Sequence, residues 1–218
     1  MTGSIASRLG VLDTPTLSDA LDKLGMSGAV FGIKPMTVMQ TVVGKVVTVK
    51  LGAPMDGLPK RHLGAGAIMA ASAGDVIVVE HRGRTDVSGW GGLLSRGALM
   101  KKVSGVLIDG AFRDIDEARE LGLPVYARAA VPITARGRVA EHDFNSPITF
   151  SGVAVAPGDY VIADGSGIVF IKQDVAERVL EAAEDIFARE QIMAEAIEAG
   201  TPIGDVLGAN YEDMLKGK

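Results

Sequence analysis

The order of the apolar segments is the feature of this sequence that most constrains its fold. In the first half, strand-like runs rich in Val and Ile, VVGKVVTVKL at 42–51 and GDVIVVE at 74–80, alternate with segments of helical spacing. In the second half, short strand-like runs follow one another between Pro and Gly turns. This order predicts an α/β protein with a mixed sheet or two layered sheets, formed by residues 1–218 as one domain.

Five segments have the composition or spacing of helices. They are 14–24, with Thr14 and Pro15 at the cap and in the first turn, a segment within 57–74 that ends at Gly74, 91–102, Ile115–Leu121 and the long Asp174–Ala199. The last has an apolar stripe in steps of three and four, made by Val175, Val179, Ala183, Ile186, Met193 and Ile197.

Composition excludes several classes of function. The net charge is −5 and no long run of Lys or Arg occurs, which argues against binding of nucleic acid or an anionic membrane. The chain has no cysteine, so disulfides, thiolate metal sites and a cysteine nucleophile are excluded. The start lacks the layout of a secretory signal and no apolar run could span a bilayer, so a cytoplasmic protein is expected.

The segment GVLIDGAFRDIDEARELG at 105–122 contains the main candidate for chemistry. Arg113 and Asp114 stand between a strand-like run and a helix-like segment, where functional groups often meet at one edge of a sheet. Arg113 suits a carboxylate or an enolate oxygen, or else pairs with a neighbouring aspartate at 109, 114 or 116. Asp114 followed by Glu117 fits a helix cap with a capping box, and local spacing favours this cap over a metal ligand.

Other candidates are weaker on local grounds. The turn Gly91-Gly92-Leu93-Leu94 offers backbone N–H groups to a carboxylate, or is a plain glycine turn. Asp164 fits a turn residue, and the three histidines, His62, His81 and His142, lack the spacing of a helical metal pair. No G-x-S-x-G, Walker or G-x-G-x-x-G pattern occurs in a strand-to-helix context, which disfavours hydrolase, nucleotide-triphosphatase and Rossmann functions.

Glu190 falls on the apolar stripe of the terminal helix. A carboxylate there must find a partner or shift its pKa. A structural pair with Lys or Arg is the commoner explanation, and the alternative is a role in a site, including one on a neighbouring protomer.

Longer stretches resemble a known family. LSDALDKLG, GDVIVVEHRG, WGGLLSRGALMKKVSGVLIDGAFRDIDEARELGLPVYAR and VAVAPGDYVIADGSGIVFI resemble the family of the regulator of ribonuclease E activity A and the metal-dependent 4-hydroxy-4-methyl-2-oxoglutarate / 4-carboxy-4-hydroxy-2-oxoadipate aldolases. The resemblance runs from about Thr14 to Ile171 and into the terminal helix. It implies a layered α/β/β/α sandwich of the swivelling-domain type with a long C-terminal helix at a protomer interface, assembled as a homotrimer or homohexamer.

The resemblance also implies residue roles. In the aldolases, the residue matching Arg113 binds the pyruvyl part of the substrate, and the residue matching Asp114 holds a divalent metal, Mg²⁺ or Mn²⁺. The turn matching Gly91, Gly92, Leu93 and Leu94 contacts the substrate. A terminal-helix carboxylate from an adjacent chain matches Glu190. The implied reaction cleaves a 4-hydroxy-2-oxo acid to pyruvate and a second carbonyl compound, and is accompanied by oxaloacetate decarboxylation.

One position departs from the family pattern. Many aldolases have an acidic residue where this chain has Gly92, so the substrate or the reaction can differ. Two rival functions follow from the same resemblance: a related metal enzyme acting on a sugar acid or another keto acid, and a non-catalytic regulator of a ribonuclease. The long terminal helix favours the enzyme branch.

Overall fold

The computed structural model describes residues 3–58 and 61–208. Its helices are α1 (Ile5–Leu9), α2 (Thr14–Lys23), α3 (Ala65–Ala70), α4 (Gly92–Met100), α5 (Ile115–Glu120), α6 (Ala176–Glu198) and α7 (Ile203–Val206), and a 3₁₀ turn at Gln173–Val175 precedes α6. Its strands are β1 (Ala29–Val30), β2 (Lys34–Pro35), β3 (Val42–Gly52), β4 (Val76–Ser88), β5 (Gly105–Phe112), β6 (Val125–Ala127), β7 (Ala129–Ala130), β8 (Ala140–Phe144), β9 (Ile148–Phe150), β10 (Val153–Val155), β11 (Tyr160–Ala163) and β12 (Ile168–Ile171).

The main sheet is mixed and curls over itself. Its order is β1-β12-β11-β3-β4-β5-β6-β2, with β3 to β6 parallel and with β11 and β12 antiparallel to their neighbours. Strand β3 belongs to both layers, because 42–45 pair with β11 and 46–50 pair with β4. A side chain at Gly44 would come within 2.1 Å of the Gly74 carbonyl oxygen, so only glycine fits at this crossing.

Three apolar cores separate four layers. Along β4, Ile77 and Val79 point into a core shared with α3, α4 and α5, whereas Val76 and Val78 point into a core between the two sheet layers. The third core lies between β11, β12 and the helices α1, α2 and α6. Strands that alternate between two buried faces read as continuous apolar runs, which explains the Val- and Ile-rich segments. The predicted α/β/β/α sandwich with a long C-terminal helix is confirmed.

Most predicted elements are confirmed and two boundaries were wrong. The helix predicted to end at Gly74 ends at Ala70, and Gly74 forms a separate turn with a φ of +86°. Asp13, not Thr14, caps α2, because the Asp13 carboxylate accepts a hydrogen bond from the Thr16 N–H at 2.9 Å.

The stripe of the terminal helix is buried only in its first half within this chain. Val179, Ala183 and Ile186 are fully buried against α1 and α2. Ile197, near the end of the helix, is 39% exposed, and the neighbouring Ile192 is 66% exposed.

Candidate active site

The ends of β4 and β5 bring the two predicted site segments together. The strands are parallel neighbours, so their carboxyl ends lie at the same edge of the sheet. Beyond the paired residues, the Gly89 N–H donates to the Ala111 carbonyl at 2.8 Å and the Arg113 N–H donates to the Trp90 carbonyl at 3.1 Å. These bonds hold the glycine turn before α4 directly beside the Arg113–Asp114 pair.

Asp114 stands at the N-cap position of α5 but does not cap that helix. Its backbone is left-handed, with a φ of +63°, and its side chain makes no hydrogen bond to α5. Instead its Oδ2 accepts a hydrogen bond from the N–H of Gly92, the first residue of α4, at 2.8 Å. The capping box with Glu117 was therefore a wrong prediction. Strained backbone of this kind is commonly found at functional sites.

Arg113 is half-exposed and is held beside Asp114. Its Nε lies 3.4 Å from Asp114 Oδ2, so one of the predicted pairings is present. The other two candidate partners are engaged elsewhere: Asp109 with Arg128 at 2.7 Å, and Asp116 with Arg119 at 3.3 Å. The Arg113 side chain is 41% exposed, so its guanidinium can still bind an anion.

The glycine turn contributes backbone donors. Gly91 is the N-cap residue of α4 and has no side chain to cap the helix. The Gly92 N–H is used by Asp114, whereas the N–H groups of Leu93 and Leu94 have no hydrogen bond within the described part of the chain. Of the four residues predicted to bind an anion through their backbone, Leu93 and Leu94 therefore have N–H groups available for it.

The pair and the turn line one cavity of about 370 Å³, within the usual range for small-molecule sites. Trp90, Leu94 and Val139 form its apolar wall. Its polar lining includes two acidic residues, Asp114 and Glu117, and three basic residues, Arg61, His62 and Arg136. Arg113 also lines the cavity. The arrangement suits a small anionic ligand that also contacts a cation.

Sequence reasoning missed Arg61, Arg136 and the site location of Glu117. Arg61 forms an ion pair with the buried Glu141 of β8 and stacks over the Phe144 ring, with its guanidinium carbon 4.8 Å from the ring centroid. Glu141 also accepts a hydrogen bond from the Gly64 N–H at 2.6 Å. The only local signal was an acidic residue, Glu141, within a strand-like run.

Glu190 does not line this cavity. It lies on α6, in the helical layer with α1 and α2, whereas the cavity is bordered by α4 and α5. Burial raises the pKa of Glu190, and the nearby Asp13 and Asp19 raise it further. No Lys or Arg pairs with it in the described part of the chain, so the predicted structural ion pair is not present within one chain. Its assignment to the site of an adjacent chain stays a prediction.

The remaining candidates, Asp164 and the three histidines, make hydrogen bonds within the chain, and His62 also lines the cavity. Asp164 accepts hydrogen bonds from the backbone N–H groups of Ser166, Gly167 and Thr14 and from the Thr14 hydroxyl. The bonds to Ser166 and Gly167 confirm the turn prediction. Each histidine ring contacts a backbone carbonyl, His62 that of Leu63, His81 that of Val87 and His142 that of Ala53.

The two acidic residues of the cavity lining fit a hard divalent cation. Both polar contacts of Asp114 use Oδ2, and the contact of Glu117 with Arg96 uses Oε1. Each carboxylate therefore keeps one oxygen free of hydrogen bonds from the described residues. Mg²⁺ is commonly bound through one or two carboxylates while it keeps several waters. Within 3–58 and 61–208, no group of three or more His, Cys, Asp or Glu is placed to hold a metal ion.

Comparison with known proteins identifies the family. The RraA-like model, described as Aldolase/RraA, matches residues 14–170. The chain belongs to the RraA-like family. A protein of Halalkalibacterium halodurans named "Putative 4-hydroxy-4-methyl-2-oxoglutarate aldolase" is 32% identical over 86% of this chain and 88% of its own length. Protein DlpA of Legionella pneumophila is 29% identical over 86% of this chain, which spans only 30% of DlpA.

Solved structures agree with the fold. An uncharacterized protein of Pseudomonas syringae has a TM-score of 0.85 and 30% identity, covering 95% of this chain and 98% of its own. Streptomyces coelicolor RraAS2, described as an unusual member of the RNase ES inhibitor RraA family, has a TM-score of 0.79 at 24% identity, covering 88% and 96%. In the ranges that the structure describes, no helix is long and apolar enough to cross a membrane.

Proposed function

We propose that this RraA-like protein is a divalent-metal-dependent lyase that cleaves a 4-hydroxy-2-oxo acid to pyruvate and a second carbonyl compound. The observation that carries the proposal is the convergence of Arg113, Asp114 and the start of α4 on one cavity. The match to an aldolase family and the aldolase names of relatives support the same reaction class.

The pyruvyl part of the substrate fits between Arg113 and the start of α4. The guanidinium of Arg113 presents a planar set of donors that matches a carboxylate and the adjacent 2-oxo oxygen. The N–H groups of Leu93 and Leu94 add donors at the positive end of the helix. A Mg²⁺ or Mn²⁺ ion held by Asp114 would add positive charge beside the 2-oxo oxygen.

Each residue is proposed to have a separate role in bond cleavage. A base removes the proton of the 4-hydroxyl, the C3–C4 bond breaks, and its electron pair delocalises onto the 2-oxo oxygen. Arg113 stabilises that negative charge because its own charge is fixed and already in place. Protonation at C3 then gives pyruvate. Glu190 of a neighbouring copy of the chain is proposed as the acid and base, and its raised pKa suits both roles. Decarboxylation of oxaloacetate produces the same enolate of pyruvate, so this activity should accompany cleavage of the 4-hydroxy-2-oxo acid.

The basic residues of the cavity lining suggest the kind of substrate. Arg61 and Arg136 lie on the same cavity as Arg113 and can bind a second carboxylate at the distal end. Substrates such as 4-hydroxy-4-methyl-2-oxoglutarate and 4-carboxy-4-hydroxy-2-oxoadipate carry such a group.

The proposal includes assembly into a homotrimer or homohexamer. Met69, Leu93 and Met100 are 77%, 81% and 83% exposed on the helical layer beside the cavity. Large apolar side chains that are exposed on one helical layer favour a contact with another chain. Analytical ultracentrifugation would distinguish three copies, six copies and a monomer.

A pyruvate-coupled assay tests the reaction. Purified protein is offered a panel of 4-hydroxy-2-oxo acids with Mg²⁺, and again after treatment with a chelator. Pyruvate release that requires Mg²⁺ and is lost in Asp114→Ala supports the aldolase. Metal-dependent conversion of a sugar acid without pyruvate release would support the related enzyme. Absence of turnover, together with stable binding to a ribonuclease, would support a regulator.

A further inference from the structure

We infer that Glu141 is a positioning residue that holds Arg61 in place for the distal carboxylate of the substrate. In this role it sets the preference of the cavity for 2-oxo acids with a second carboxylate. Glu141 does not line the cavity, so it acts through Arg61, which does. The inference rests on the proposed function, because it concerns the end of the substrate that lies away from Arg113.

The carboxylate of Glu141 is buried and needs a cation. Its side chain is 0% exposed, and the residue lies in β8, opposite Leu51 of β3. The Gly64 N–H donates a hydrogen bond to its Oε2 at 2.6 Å. Its Oε1 accepts no hydrogen bond within the described residues and is in ion-pair contact with Arg61 Nε. Because a buried carboxylate without a partner is costly, this pair fixes the position of Arg61.

Arg61 is held on two sides and keeps donors for a ligand. Glu141 pairs with its Nε, and its guanidinium carbon lies 4.8 Å from the centroid of the Phe144 ring. Its two terminal nitrogens, Nη1 and Nη2, make no hydrogen bond to residues 3–58 or 61–208, and the side chain is 31% exposed. The two Nη groups are therefore available to bind a carboxylate in the cavity.

The start of β8 also carries the second arginine of the proposed distal site. Arg136 belongs to the turn directly before this strand, in which the Val139 N–H bonds to the Ala135 carbonyl at 2.9 Å. Both Arg136 and Val139 line the cavity. One strand therefore supports both arginines, Arg136 through the chain itself and Arg61 through the carboxylate of Glu141.

A purely structural role does not explain the pair with Arg61. The bond from the Gly64 N–H already joins the start of α3 to β8. For stability alone, apolar residues of similar volume often serve as well as a buried ion pair. An arginine that is fixed before the ligand arrives loses less conformational freedom on binding. The pair therefore favours ligands that place a carboxylate beside Arg61.

Binding of two unreactive 2-oxo acids tests the inference without turnover. Isothermal titration calorimetry in the presence of Mg²⁺ gives the Kd of 2-oxoglutarate and of 2-oxopentanoate. The two have the same chain length and the same pyruvyl end, and only 2-oxoglutarate has a distal carboxylate. Neither has the 4-hydroxyl that cleavage requires. The parent protein should prefer 2-oxoglutarate by about tenfold or more, as expected for a charged hydrogen bond.

Glu141→Asp tests position without a change in charge, because it withdraws the carboxylate by one methylene group. The preference for 2-oxoglutarate should fall about 2- to 10-fold, since Arg61 must then be ordered when the ligand binds. The Kd of 2-oxopentanoate should stay within about twofold of the parent value. The matched control is Asp143→Glu on the same strand, because Asp143 is exposed and does not line the cavity. It should keep the preference of the parent protein.

Two results with Glu141→Asp would overturn the inference. One is an unchanged preference, and the other is an equal loss of affinity for both ligands, which indicates a structural role. If this variant does not fold, as judged by circular dichroism, Glu141→Gln replaces it, because it keeps the length and an acceptor for the Gly64 N–H. A reduced preference in Glu141→Gln supports the inference. An increased preference means that Glu141 only repels the ligand, and overturns it.

The same two ligands separate the inference from the proposed function. If the parent protein binds both equally tightly, Arg61 does not recognise the distal carboxylate, and the inference fails while the proposed function stands. If the parent protein binds neither 2-oxo acid in the presence of Mg²⁺, the proposed function fails and the inference fails with it.

Discussion

Replacement of Arg113 by Ala is expected to remove most of the catalytic rate and to leave the fold intact. Its side chain is 41% exposed and its ion pair with Asp114 is 3.4 Å long, so the free energy of unfolding should fall by only about 0–1 kcal/mol. Loss of a preorganised donor to a developing oxyanion costs about 2.7–4 kcal/mol of transition-state stabilisation. The kcat for pyruvate release should therefore fall by about 10²- to 10³-fold.

The assay compares two quantities on the same preparations. Pyruvate release is followed by coupling to lactate dehydrogenase, and the free energy of unfolding is measured by urea denaturation. Arg119→Ala is the matched control, because Arg119 is 52% exposed, pairs with Asp116 at 3.3 Å and does not line the cavity. Arg113→Lys should be intermediate, since it keeps the charge and loses the planar fork. If Arg113→Ala keeps kcat within about fivefold of the parent enzyme, the assigned charge stabilisation is refuted.

Three further predictions follow from single residues. Arg61→Ala should raise KM by about tenfold or more for 4-hydroxy-2-oxo acids with a second carboxylate, because a charged hydrogen bond contributes about 1.5–3 kcal/mol, and should affect 4-hydroxy-2-oxo acids without a second carboxylate less; equal effects on both kinds of substrate would contradict it. Burial and the nearby Asp13 and Asp19 raise the pKa of Glu190 in the folded protein. The favourable contribution of this group to the free energy of unfolding is therefore fully present below the unfolded-state pKa and is lost as pH rises through the folded-state pKa. Glu190→Gln should therefore be more stable than the parent at pH 7 and no more stable near pH 4, as judged by urea midpoints; the reverse order would contradict it. Burial would raise the pKa of Asp164, but four hydrogen bonds to its carboxylate lower the pKa overall. The favourable contribution of this group to the free energy of unfolding is therefore fully present above the unfolded-state pKa and is lost as pH falls through the folded-state pKa. Asp164→Ala should cost about 1–3 kcal/mol at pH 7 and less in acid, and a pH-independent difference would argue against the sign.

The fold was largely predictable because its signals are local. Val- and Ile-rich runs marked β3, β4 and β5, and Pro15 with the apolar spacing marked α2. Burial on both faces made the strands easy to find in the sequence. The end of α3 was missed because Ala71, Ser72 and Ala73 have helix-compatible composition. In the structure Ala71 has extended backbone, and the Gly74 N–H bonds to the Lys102 carbonyl.

The site was only partly predictable because its contacts are distant in sequence. Local rules made Asp114 the cap of its own helix, whereas its left-handed backbone directs the carboxylate to Gly92 of another helix. Arg61 gave no signal because its position depends on Glu141 in β8. Glu117 was noticed only as a capping residue. The absence of a side chain at Gly92 was visible in the sequence. The structure shows that the Glu117 carboxylate occupies the space in which that side chain would lie.

Hydrogen exchange at the methyl group of pyruvate tests the central claim most directly, because it requires no knowledge of the distal part of the substrate. The protein is incubated with pyruvate and Mg²⁺ in D₂O, and loss of the methyl proton signal is followed by NMR. If the cavity stabilises negative charge on the 2-oxo oxygen, exchange should be much faster than without protein, should stop on addition of chelator, and should be absent in Arg113→Ala and Asp114→Ala. Exchange at the background rate, or exchange that persists with chelator, would contradict the proposed function.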